Sequence, residues 1–172
     1  MDNDRGVEAW KAHTSAFDRV RSVAQTVTEP RTAAWIAEQA AVSENTTRDH
    51  LDRLVEMNVL RAVEAGSATT YEPDPLHTRL QTLRELLTEY DHEGLVGLKA
   101  ELQEHIETWQ QRYGVSSPTA LRTLAADSDS AAETTTIRRA ANEWELTAYR
   151  LDIVEEAIDN YAAYTERGAV SA

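Results

Sequence analysis

The chain has 172 residues, of which 30 are Asp or Glu and 17 are Lys or Arg, for a formal net charge of −13. Cysteine is absent, which excludes a disulfide framework, a thiolate zinc site, a redox dithiol and a cysteine nucleophile. At 41% hydrophobic the chain can bury a core, and it has no stretch near the ~20 apolar residues of a membrane span, so a soluble cytoplasmic protein is expected.

Trp10, Phe17, Val20, Ala24 and Val27 recur at helical spacing and predict a helix that ends before Pro30. Thr32 can cap a helix over 33–40 with Trp35 and Ile36 inward. After a tight connection at Val42-Ser43, Ser43 reads as the N-cap of a helix from about Glu44 to Met57. Its buried face holds Thr47, Leu51 and Leu54. The short β-favouring runs Val59–Val63 and Thr69–Tyr71 flank Gly66-Ser67 and predict a hairpin. The remainder reads as helical. Leu76, Leu80, Leu83, Leu87 and Tyr90 form one stripe, and Leu95, Leu98, Leu102, Ile106, Trp109 and Tyr113 a second. Ser117-Pro118 opens a short helix, with Leu121 and Leu124 inside. Ser130 and Glu133 have capping-box spacing. The long helix beyond carries Ile137, Trp144, Leu151 and Ile158 seven apart, with Tyr161 following, which predicts a seam for a partner.

Residues 32–75 therefore predict a mainly α fold of one specific kind. It is a winged helix-turn-helix, three helices plus a two-stranded β-hairpin wing, over residues 1–75. An all-helical dimerisation region with a long C-terminal helix occupies 76–172. In such a domain the second helix of the pair buries one face and projects its first turns into a major groove. The free face offers Ser43, Asn45, Thr46, Arg48, Asp49 and Arg53. Asn45 could pair an adenine edge and Arg48 a guanine, while Ser43 and the free amides at the helix start suit a phosphate. Arg61 on the first wing strand is a further candidate. Arg48 and Arg53 could equally be ion-pair partners of Asp49, Asp52 or Glu56.

"AAWIAEQAAVSENTTRDHLDRLVEMNVL" followed by "GSATTYEPDP" resembles the winged-helix regulators of the ArsR and TrmB-like groups, and especially their uncharacterised haloarchaeal members. The resemblance covers residues 15–75. It implies a transcriptional regulator that binds double-stranded promoter or operator DNA as a homodimer. Two departures limit it. Thiolate metal sensing is not carried over, because no cysteine exists. Asp49 also stands where many relatives have a basic residue, and the wing tip Gly66-Ser67-Ala68 has no cation. A winged helix used only as a protein-interaction module or adaptor is the alternative.

The acidity does not decide between these readings. Residues 1–75 hold 13 acidic and 8 basic side chains, and residues 76–172 hold 17 and 9, so the charge is spread rather than collected in a tail. Only Lys11 and Lys99 are lysine. An Asp- and Glu-rich, Lys-poor surface suits a concentrated-salt cytoplasm, where the Debye length falls to ~3 Å at 1 M. A shallow or inverted salt slope of DNA binding is expected for the same reason.

Signals for chemistry are weak. Histidines 13, 50, 77, 92 and 105 form no His-x-x-x-His pair. The Glu101/His105 spacing and Asp91-His92-Glu93 are explained by helix-surface polarity. No phosphate loop, serine elbow or carboxylate pair stands out, so neither a catalytic residue, a metal nor a cofactor is expected. Trp109, Tyr113, Trp144, Tyr149, Tyr161 and Tyr164 could line a small-molecule effector pocket or serve as core and interface. Ile137, Trp144, Leu151, Ile158 and Tyr161 are the expected dimer interface.

Overall fold

The computed structural model describes residues 13–127 and 130–165. Trp10, expected on the first helical face, lies outside the described residues. The chain is mainly helical with one small antiparallel sheet, and it divides into two compact units, Met1–Leu80 and Gln81–Ala172.

In the first unit, α1 (Ala16–Thr26), α2 (Ala33–Ala40) and α3 (Glu44–Glu56) pack with a three-stranded sheet. Its strands are β1 (Arg31–Thr32), β2 (Leu60–Ala65) and β3 (Ala68–Pro73), in the order β1-β3-β2. The expected two-stranded hairpin is present as β2–β3, joined through Gly66 at φ 65°, where the absence of Cβ removes the steric cost. The third strand is an addition. Arg31 and Thr32 pair with Tyr71 and Thr70 just before the chain turns into α2.

Side-chain caps fix the starts of α2 and α3. Thr32 accepts from the Trp35 amide at 3.3 Å, and Ser43 accepts from the Thr46 amide at 3.3 Å. Between α2 and α3, Ala41 takes a left-handed conformation (φ 52°) and the Val42 amide donates back to the Ala37 carbonyl at 3.1 Å. This closes the end of α2 within one residue and starts α3 two residues later. Asn58 (φ 56°) ends α3 in the same way, with the Val59 amide donating to the Leu54 carbonyl at 2.9 Å.

Val20, Ala24, Ile36, Ala40, Leu51, Leu54, Leu60 and Tyr71 form the core of this unit. Arg19 is buried too, and donates through Nε to the Ala40 carbonyl at 3.0 Å. Trp35 departs from expectation. It is 36% exposed, with the Arg31 guanidinium 5.0 Å above its ring. Adjacent helical positions point about 100° apart, so on an eight-residue helix Ile36 takes the core position and Trp35 lies outside it.

Helix α4 (Pro75–Glu89) begins in the first unit and continues in the second, where α5 (His92–Tyr113), α6 (Pro118–Ala126), α7 (Ala131–Asp159) and the short α8 (Tyr161–Thr165) follow. Two apolar clusters hold the second unit together. One joins Leu83 and Leu86 to Leu95, Leu102, Ile153, Val154 and Ala157. The other joins Leu121 and Ala125 to Ile137, Ala140, Ala141 and Trp144, with Trp109 stacked on Trp144 at 6.2 Å. The α4 stripe is thus shorter than its leucine spacing suggests, because Leu76 (65% exposed) and Leu80 stay outside the core.

The α7 seam requires a correction. Ile137 is 5% and Trp144 2% exposed, both packed against α5 and α6 of the same chain. Leu151, Ile158 and Tyr161 pack against the cluster built from α4, α5 and α7. The seven-residue repeat does mark a helix with an apolar face. Ile137 and Trp144 are taken up in the intramolecular core, whereas Leu151, Ile158 and Tyr161 lie half-buried at the edge of theirs.

Candidate functional site

Helix α3 owes its orientation to three side chains. Thr47, Leu51 and Leu54 are fully buried and pin one meridian of the helix to the core. With 3.6 residues per turn, Asn45, Asp49, Asp52 and Glu56 fall on the opposite meridian, and all four are exposed. Arg48 lies about a quarter turn to one side and Arg53 to the other.

The candidate residues differ in how much they are already engaged. Ser43 and Thr46 are tied to each other, since Ser43 Oγ accepts from the Thr46 amide and donates to Thr46 Oγ1 at 2.8 Å. They form the cap first. The amides of Glu44 and Asn45 at the helix start have no intrahelical acceptor. Arg48 forms an ion pair with Glu44 one turn earlier. The Glu44 carboxylate holds its guanidinium more firmly protonated, chiefly by accepting a hydrogen bond and then through its charge. Arg53 lies 5.2 Å over the Phe17 ring, and His50 meets the same ring edge-on at 5.5 Å. Arg61 pairs with Glu72 at 2.6 Å, directly across the β2–β3 ladder. Asn45 and Asp49 make no side-chain hydrogen bond or ion pair among the described residues.

Beside Arg48, the buried Tyr71 on β3 lies within electrostatic reach of Asp52 on α3. Burial pushes the Tyr71 pKa up, and the Asp52 charge adds to the shift. Asp52 thus acts on Tyr71 through its charge, an influence that its helix-surface spacing gave no reason to expect.

His92 meets Tyr161 edge-on at 5.4 Å, and His105 lies 6.5 Å from Trp109. Among the described residues no group of three or more His, Asp or Glu side chains converges as a metal site, and no helix is long and apolar enough to cross a membrane. Of the aromatics considered for an effector pocket, Trp109 and Trp144 stack in the second unit's apolar clusters. Tyr113 lines an open pocket of about 510 Å³ with Arg112, Leu124, Asp127, Glu133 and Ile137.

No curated protein and no solved structure matches the chain. One family model matches over residues 14–163, which takes in both units. The chain belongs to that family, DUF7342, a family of unknown function.

Proposed function

We propose that the protein is a winged helix-turn-helix transcriptional regulator of the ArsR and TrmB-like kind, which binds double-stranded DNA by equilibrium contacts and without chemistry. The observation that carries this reading is the two-sidedness of α3. One meridian is fixed by Thr47, Leu51 and Leu54 at full burial, the opposite one presents Asn45 and Asp49 to solvent, and Arg48 and Arg53 are exposed on its flanks. Such a helix can enter a major groove without any rearrangement of its own packing. The tight connection through Ala41, the unpaired amides at the start of α3 and the β2–β3 hairpin with Arg61 support the same reading.

Two-fold pairing would set two copies of α3 about 34 Å apart on successive major grooves. Homodimerisation remains part of the proposal. The contact then uses a surface other than the buried Ile137 and Trp144. The pocket beside Tyr113 is where a small-molecule effector would act in this scheme.

A second reading, an adaptor that meets another protein, is favoured by one observation. Arg48 and Arg61 are already held by Glu44 and Glu72, and the outward meridian of α3 carries Asp49, Asp52 and Glu56. A basic protein surface would complement that face.

A gel shift of genomic DNA fragments in molar potassium chloride separates the two. The regulator retards a discrete set of fragments, with an affinity that changes little or rises as salt is added. Retardation of no fragment at any salt concentration refutes it, and a steep loss of affinity with salt refutes the expected salt response.

A further inference from the structure

Resting on the DNA-reading assignment of α3, the geometry of that helix also indicates which bases it selects. A guanine is read by donors, because its major-groove edge offers two acceptors, O6 and N7. The cationic donors on α3 are Arg48 and Arg53, and both sit on the flanks of the helix. Arg48 is bonded to Glu44, and Arg53 is laid over Phe17. The meridian that enters a groove first carries the Asn45 amide and the Asp49 carboxylate, one helical turn apart and neither engaged by another side chain among the described residues.

A carboxylate accepts only, so it is repelled by guanine O6 and N7 and matched by the N4 amino group of cytosine. An amide both accepts and donates, which matches the N6 and N7 pair of adenine. Four residues of helix advance about 6 Å, and successive base pairs rise about 3.4 Å. The two contacts therefore fall about two base steps apart. We infer that α3 selects a site with an adenine and a cytosine about two steps apart, that Asp49 is the specificity-determining residue for the cytosine, and that Arg48 and Arg53 act at the phosphates.

The test is selection from a randomised duplex pool in molar potassium chloride. It uses the full-length protein and its Asp49→Ala, Asp49→Asn and Arg48→Ala variants, with helix content checked by circular dichroism. The natural chain should enrich adenine and cytosine at that spacing. Asp49→Ala should lower the cytosine preference about tenfold and leave the adenine preference in place. Asp49→Asn keeps the size and exposure of the side chain, and should convert the cytosine preference to adenine. Arg48→Ala should weaken binding across all sequences without altering the motif. A motif centred on a guanine whose preference disappears in Arg48→Ala overturns the acceptor assignment while DNA reading itself stands. Enrichment of no sequence by the natural chain overturns both.

Discussion

Thr47 occupies an anomalous place in the core of the first unit. It is 0% exposed on the inner meridian of α3, and its hydroxyl oxygen has no hydrogen-bond partner. A buried hydroxyl without a partner costs about 1–3 kcal/mol relative to one that is satisfied. Valine keeps the β-branched shape and a similar helix propensity, and replaces the hydroxyl by a methyl group of nearly the same size. Thr47→Val is therefore expected to stabilise the first unit by about 1 kcal/mol or more, or about 4–8 °C in melting temperature for a unit of this size. Urea unfolding followed by circular dichroism, with exchange protection of the Leu51 and Leu54 amides, reads the change where it arises. Leu51→Ala next to it should cost about 2–5 kcal/mol by the same measurement, since it removes a fully buried side chain from that contact set. A Thr47→Val variant that unfolds at lower urea than the natural chain would show that the hydroxyl is satisfied, and would refute the accounting.

Two further expectations follow from backbone and titration. Ala41 holds a left-handed φ of 52°, a conformation that costs a residue with a Cβ about 1–2 kcal/mol. Ala41→Gly, after the loss of unfolded-chain entropy, should stabilise the unit by about 0.5–1 kcal/mol in the same urea assay. Tyr71 has its pKa raised by burial and by Asp52, so the folded state favours the protonated phenol. Its contribution is complete below the unfolded value of about 10 and is lost as pH rises through the higher folded value. Stability measured against pH should fall above 10, and Tyr71→Phe should flatten that limb.

The sequence pattern made the first unit legible because its signals are local. The apolar spacing of Phe17, Val20 and Ala24, the caps Thr32 and Ser43, and the turn at Gly66-Ser67 each depend on a few neighbouring residues. Their elements stand where the pattern put them. What was missed depends on distant partners. The pairing of Arg31-Thr32 with β3 joins residues about forty positions apart and leaves no trace in two residues of sequence. The heptads of α7 show that one face is apolar, but spacing cannot say whether the covering surface belongs to another copy or to α4, α5 and α6 of the same chain. The site was legible to the same extent. Which α3 residues are exposed followed from the helical period, whereas the engagement of Arg48 by Glu44 and of Arg53 by Phe17 required the fold.

These engagements bear on how an acidic chain could approach a polyanion at all. On an ordinary DNA-binding helix free cations release the counterions of the duplex, and binding weakens as salt rises. Here the cations of α3 are flanked by Glu44, Asp49, Asp52 and Glu56, so at low ionic strength the face repels phosphate before any base edge comes within reach. At 1 M salt the screening length is ~3 Å, about the length of one hydrogen bond, and long-range repulsion is removed while contacts at bonding distance are kept. Under those conditions charge no longer supplies affinity. Under the proposed reading, binding would come from short-range complementarity, which requires a rigid helix whose outward side chains are unengaged before the duplex arrives. The complete burial of Thr47, Leu51 and Leu54 supplies the rigidity, and Asn45 and Asp49 are the side chains left unengaged.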